Sequence, residues 1–451
     1  MQQFLSLIML KRKLIFKKWV LACFLALFLS FTGYGQKYLT DIDSSFFIRD
    51  TLRPFLKRFE NLRITGYIQP QFQVAQSDGA ASFAGGNFSQ FSKSRFMLRR
   101  ARVKIDYLLP SQKMTPKALF SFQVDATERG VVVRDMYLKL FETKKSLFSM
   151  MAGLFARPFG YEVNLSSAFR ETPERGRMSQ ILMPSERDIG VMFSFEPQDK
   201  KHKLSHVKFD VGFFNGQGLS GTTDFDSHKD LISRIFIKPY IFHKVDITGG
   251  LSYLRGGWRN GTKYIYESGT AINGDKIFVV DSTASNLGKS SPRHYYGADV
   301  QVKVHHGWGE TEFRAEHWYG TQPGTSASTT NPGTLPTSNG LPAPTYVRHY
   351  NGSYFYFLQN IINARNQLIF KYDWYDPNTK VKELEIGKAG TNLTAADVRF
   401  STFGVGYAHH MNPQTKIVFY YDFVRNEITQ MPGFTTDAKD NVFTCRLQFR
   451  F

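Results

Sequence analysis

Cysteine is nearly absent from the 451-residue sequence, occurring only at Cys23 and Cys445. Cys23 lies in a segment with the anatomy of an export signal. Lys11, Arg12, Lys13, Lys17 and Lys18 form a basic start, residues 19–31 are apolar, and Gly33-Tyr34-Gly35 supplies small residues before Gln36. Val20-Leu21-Ala22-Cys23 resembles a lipid-attachment box, but cutting there would leave almost no apolar stretch before the cysteine and a long one after it, so processing after Gly35 is the better reading. With residues 1–35 removed, Cys445 stands alone, which excludes an intrachain disulfide and a cysteine-based metal site.

Long apolar runs are also missing. No stretch of 18 or more apolar residues follows the signal, which excludes a helical membrane protein. Aromatics are nevertheless plentiful, with 42 Phe in the chain, while mean hydropathy is slightly polar. That combination fits strands with one apolar and one wet face. Acids are in deficit, 38 against 57 basic residues, for a formal net charge of +19, of which the signal accounts for five. In an exported chain such a balance points to an anionic surface or solute and makes nucleic acid the least suitable partner. Catalytic patterns are lacking: no G-x-S-x-G elbow or Ser/His/acid arrangement stands out, so neither an enzyme nor a cofactor is expected. The adjacent pairs His305-His306 and His409-His410 fall at turns, where neighbouring side chains point oppositely, which disfavours a metal site.

What is present is period-two alternation. Ile48, Leu52, Leu56 and Phe59 have helical spacing and predict a short periplasmic lead-in over residues 36–61. From Leu62 the period changes. Leu62, Ile64, Ile68, Phe72 and Val74 share one parity, and Arg63, Thr65, Gln69, Gln71 and Gln73 the other. The pattern recurs to the last residue, where Phe443, Cys445, Leu447, Phe449 and Phe451 oppose Thr444, Arg446, Gln448 and Arg450. About 16 such segments can be marked, each near the ~10 residues a tilted strand needs to cross a bilayer. Their predicted starts are near Arg63, Arg95, Lys117, Val132, Phe148, Asp188, Ser205, Asp230, Lys244, His294, Glu310, Tyr350, Gln367, Val398, Lys416 and Asp440. Short links (197–204, 239–243, 305–308, 362–366, 410–414) alternate with long ones (77–94, 158–187, 255–293, 320–349, 377–397). Short periplasmic turns alternating with long outer loops are the mark of a transmembrane barrel. The expected fold is therefore all-β, an antiparallel transmembrane β-barrel over residues 62–451 in the outer membrane, facing lipid. The Thr-, Ser-, Pro- and Gly-rich loop 321–344 is expected to be mobile.

Five stretches, in this order, resemble the phosphate-selective porin O and P family: ITGYIQPQF at 64–72, RFMLRRARVKID at 95–106, GLFARPFGYE at 153–162, FFNGQG at 213–218 and KYDWYDPN at 371–378. The resemblance covers most of the mature chain. It implies a 16-stranded porin, a homotrimer, anion preference, basic residues along the pore and a third outer loop folded inward.

The residues themselves supply candidates for that preference. Arg100, Arg102 and Lys104 share the lumen parity in a run without acids, and three cations stacked on a pore wall attract anions. Structural pairing with lumen acids such as Asp125 and Asp135 is the alternative. Lys139 also has lumen parity, whereas Arg99 has lipid parity near the outer end, which implies either contact with lipid headgroups or a shift of register there. The third outer loop carries Arg170, Arg175, Arg177 and Arg187 with Glu162, Glu171, Glu174 and Glu186, so its charge is balanced. It also holds Phe159, Tyr161, Val163, Leu165, Phe169, Ile181, Leu182 and Met183, which gain burial only by packing on the wall. Across the remaining strands lumen-parity acids and bases are nearly equal, a departure from a strongly basic pore. The expected function is passive diffusion of small anions such as phosphate. A weakly selective general porin and a plugged structural or surface-binding barrel are the alternatives.

Overall fold

The computed structural model describes residues 60–111, 115–221 and 223–451. The expected signal segment and nearly all of the lead-in lie outside the described residues. In chain order the strands are β1 (Leu62–Ala75), β2 (Ser94–Leu109), β3 (Ala118–Thr127), β4 (Gly130–Phe141), β5 (Phe148–Ala156), β6 (Arg187–Phe195), β7 (Val207–Phe214), β8 (Asp230–Phe242) and β9 (Val245–Arg259). Next come β10 (Ile265–Thr270), β11 (Lys276–Asp281), β12 (Ser290–His306), β13 (Gly309–Gly324), β14 (Thr337–Ser338), β15 (Leu341–Pro342), β16 (Thr345–Ile361) and β17 (Asn363–Asp376). The last are β18 (Phe400–His410), β19 (Thr415–Asn426) and β20 (Val442–Arg450). Two pairs, β10–β11 and β14–β15, are hairpins within outer loops. The other sixteen pair antiparallel in sequence order, and β20 closes on β1 with Phe72 opposite Cys445 and Val74 opposite Phe443.

The alternation explains which face is which. Phe120, Ile189, Phe213, Leu251, Phe313, Phe355, Phe419 and Leu447 are exposed on the outside, while Gln69, Gln123, Asp210, Gln301 and Thr444 are buried inside. Closure leaves no unpaired edge, and an unpaired backbone group in hydrocarbon would cost several kcal/mol, roughly. Wall height is uneven. Strands β5 to β7 have 9, 9 and 8 residues, whereas β12, β13 and β16 have 17, 16 and 17.

One parity assignment is corrected. A bulge between Gln69 and Pro70 lets β1 skip a residue of β2, so Arg100 pairs with Gln69 and Leu98 with Pro70. Arg99 is the extra residue, and it turns inward to Glu174 instead of outward to lipid. The alternation of loop lengths has an exception as well: β3 and β4 are joined at the outer end by Glu128 and Arg129 alone.

The outer loops pack on one another. Hairpin β10–β11 lies parallel against the start of β16, with Ile265 opposite Thr345, and Tyr266 stacks on Tyr346 at 4.4 Å. The loop expected to be mobile is pinned: Asn331 is buried, hydrogen bonds to Arg293, and donates to Gly216 O at 2.8 Å. Its composition describes local propensity, whereas the anchors come from distant strands.

Candidate functional site

The third outer loop, residues 157–186, does fold into the barrel. Its first turn depends on Gly160, whose φ is +67° and whose added Cβ would collide with Glu316. No other residue fits there without displacing that carboxylate. Glu316 accepts from Tyr161 N and Glu162 N at 3.0 Å each and from Trp318 Nε1 at 2.6 Å, and Tyr354 Oη donates to it too. Phe159 is fully buried, edge-on to Trp318 at 4.8 Å and near Tyr295 at 6.0 Å. Burying such a ring contributes about 2–3 kcal/mol. Farther along, the short helix α1 (Arg177–Leu182) buries Met178, Ile181 and Leu182, joined by Met183. The apolar residues of the loop thus form a lobe inside the lumen, where they gain the burial expected of them from the sequence, except for Phe169.

Each acid of the loop is tied to a cation. Glu162 receives both amide contacts of Gly176 (3.1 and 2.9 Å), Ser179 Oγ at 2.7 Å and Tyr356 Oη at 2.8 Å, with Lys371 3.7 Å away. Glu171 pairs with Arg314 at 2.7 Å. Glu174 is shared by Arg99 (2.8 Å), Arg100 (2.7 Å) and Arg446 (2.9 Å). Glu186 binds Arg134, Arg175 at 3.2 Å and Arg187 at 3.0 Å, and Arg187 reaches Asp135 at 3.0 Å. Around Glu174 three guanidiniums face one carboxylate, leaving a local positive surplus.

The candidate cations separate accordingly. Arg100 sits on Glu174, Arg102 on Asp125 at 2.9 Å, and Lys104 on Asp106 of its own strand at 3.0 Å. Lys139 lies over the Phe141 ring at 5.0 Å, away from the lobe's ion pairs. Arg175 is locked on Glu186. Arg177 is sandwiched between Phe83 and Phe400, at 4.4 and 3.8 Å from their centroids. Arg170 is buried, with Nε and Nη1 lacking hydrogen-bond partners among the described residues. Sequence reading did not name Arg134 for the site; it took Glu186 only as one of the acids that balance the loop, and Arg446 only as one lumen charge among many. The two neighbouring cations Arg99-Arg100 were the signal for the bulge that aims both at the loop.

Burial would by itself raise the Glu174 carboxyl, but Arg100, Arg99 and Arg446 hold it well below the ordinary carboxylate range. Arg175, Arg134, Arg187 and Arg102 do the same for Glu186. A carboxyl depressed in the folded state stabilises fully above its unfolded pKa, about 4.3, and that contribution is lost as pH falls through the lower folded value. The lobe is therefore expected to stay docked from neutral pH down to about 4 and to release only in stronger acid. Emission from Trp318, which packs on Phe159, would report it; release near pH 6 would contradict the ion-pair assignment.

No protein-family model matches the sequence, and no characterised protein matches it in sequence. Solved structures do match. The outer-membrane channel DcaP of Acinetobacter baumannii aligns with a TM-score of 0.51 at 10% identity, covering 86% of this chain and 97% of that one. The anion-selective porin from Comamonas acidovorans aligns with a TM-score of 0.49 at 10% identity, over 86% and 99%. OmpF of Salmonella typhi, in complex with daunomycin, gives 0.48 at 10% identity, over 86% and 97%. At such identity the likeness is one of fold. A closed sixteen-stranded barrel with an apolar outer face, similar in fold to bacterial outer-membrane porins, places this chain in the outer membrane.

Proposed function

We propose that the barrel is a passive diffusion channel for small anions, phosphate among them. The observation that carries this reading is the guanidinium surplus around Glu174, where Arg99, Arg100 and Arg446 share one carboxylate inside the lumen. Cations fixed in a narrow, low-dielectric passage lower the barrier for anions and raise it for cations. The family resemblance supports the same reading and adds phosphate and a homotrimer. A weakly selective porin is favoured by a different observation. Elsewhere the lumen charges are closely matched, as in Arg234–Asp299 at 2.9 Å and Lys371–Asp373 at 3.3 Å. The apolar lobe around Trp318 favours a plugged barrel.

Reversal potential in a planar bilayer under a potassium chloride gradient, with phosphate titrated in, tests these readings. An anion-directed potential with chloride current reduced by phosphate is expected. Changing Arg100→Gln, Arg102→Gln and Lys104→Gln together would leave Glu174, Asp125 and Asp106 short of partners and is expected to reduce anion preference. An unchanged potential with a folded barrel would mean that these cations only neutralise acids. Absence of any current would favour the plugged barrel.

A further inference from the structure

Phe169 is the one large apolar side chain of the lumen lobe that stays out, at 61% exposure. Loose chain does not explain this. Ser167, Ala168 and Arg170, its near neighbours, are buried. Gln69 Nε2 donates to Ser167 O at 2.9 Å, Gln448 Nε2 to Ala168 O at 2.9 Å, and Lys416 Nζ to Arg170 O at 2.8 Å. The hydroxyls of Tyr67 and Ser167 are also hydrogen bonded. The backbone on both sides of Phe169 is thus fastened to β1, β19 and β20, and the ring is held in place within the lumen.

Two cavities meet at this ring, both lined by Ser166 and Phe169. The larger, about 630 Å³, adds Arg63, Lys104, Asp106 and Arg450. The other, about 510 Å³, adds Tyr161, Leu165 and Phe236, with Arg234 and Lys303 set against Asp246 and Glu312. Arg450 lies over the Phe169 ring at 5.0 Å, anchored by Nε donating to Pro413 O at 2.9 Å. Lys104 is engaged by Asp106, but Arg63 and Arg450 make no ion pair among the described residues. The second cavity, with two bases against two acids, is therefore balanced in charge and offers Tyr161, Leu165 and Phe236 as apolar surface, whereas the first carries unneutralised positive charge. Both cavities are of a size that accepts small organic molecules.

We infer that this ledge binds aromatic carboxylates: the ligand ring packs on Phe169 beside Leu165 and Tyr161, and its carboxylate meets Arg450 and Arg63. An inorganic anion would gain nothing from the ring, a neutral aromatic nothing from the guanidiniums, and an organic cation would be repelled. The inference deepens the anion-channel reading by naming a solute class, and it rests on that reading for the ligand's access through the lumen.

The probe is 4-fluorobenzoate, followed by fluorine NMR on the full refolded chain in detergent micelles, with empty micelles as reference. Line broadening reversed by benzoate but not by equal acetate is expected. Phe169→Ala and, separately, Arg450→Gln are each expected to weaken binding about tenfold, the scale set by one aromatic contact or one charge-assisted contact. Phe169→Leu, which keeps apolar bulk, should fall between. Heat-modifiable gel migration checks that each variant is folded, and Phe169→Leu decides the matter if Phe169→Ala is not. Displacement by acetate as effective as by benzoate, or unchanged binding in the folded variants, overturns the ledge. A barrel that binds 4-fluorobenzoate in this way yet carries no current in planar bilayers supports the ledge and overturns the channel reading alone.

Discussion

Replacing residues 165–183 with a short Gly-Ser linker is expected to raise single-channel conductance several-fold. The segment carries most of the lumen lobe, including α1 and the buried Met178, Ile181, Leu182 and Met183. It reaches from Arg314 on one side, through Glu171, to Arg99, Arg100 and Arg446 on the other, through Glu174. The wall does not depend on it for backbone pairing, because each of the sixteen wall strands is bonded to two other wall strands. Removing the segment takes out Arg170, Arg175 and Arg177 together with Glu171 and Glu174, a net loss of positive charge that offsets the freeing of Arg99, Arg100, Arg314 and Arg446 on the wall, so the expected change is in conductance and not in anion preference. The measurement is single-channel current in planar bilayers, with heat-modifiable migration as the folding control. Parent-like conductance from a folded variant would place the constriction elsewhere.

Deleting Phe451 is expected to reduce folded barrel in the membrane severely. Phe451 N donates to Gly66 O and Gly66 N to Phe451 O, both at 3.0 Å, so the last residue secures the seam between β20 and β1. Its ring lies where a Cβ on Gly66 would stand: the added atom would come within 2.5 Å of Phe451 Cζ and 2.6 Å of Arg102 O. Without the residue, two backbone groups of β1 lose partners at the barrel rim, at roughly 1–3 kcal/mol each where water cannot reach them. Gly66→Val should act in the same direction by forcing the ring away. Fractionated membranes and gel migration of heated and unheated samples give the readout; parent-like yield of the truncated chain would refute it.

The strand set was legible because the lipid imposes one rule on every wall residue. Phe443, Cys445, Leu447 and Phe449 alternate with Thr444, Arg446, Gln448 and Arg450 since apolar groups must face out and polar groups in. Arg99 was misread for the same reason. Strict alternation assumes an unbroken ladder, and a bulge is invisible to it. The β10–β11 hairpin went unmarked although Asn273-Gly274, with Gly274 at φ +87°, is a hairpin turn signal, because the long outer loop was read as a single connection. In the lumen lobe the inward fold was legible from eight apolar residues that needed burial. Its partners were not. Glu174 meets Arg446, 272 positions away, and a balanced charge within the loop looked as if it could satisfy itself locally.

The uneven wall sets how the barrel sits in its solvent. A strand of 8 residues such as β7, tilted ~40°, rises only about 20 Å, less than the ~25 Å apolar band of an average outer-membrane barrel. The 17 residues of β12 or β16 rise about 44 Å on the same geometry. Acyl chains beside β5 to β7 must therefore compress, while those beside β12 to β16 need not. Such thickness mismatch costs a fraction of a kcal/mol per Å, roughly, and falls on one flank only. Bilayers of shorter-chain lipid should relieve that flank and favour assembly, which makes membrane thickness a control on this barrel that acts from outside the lumen.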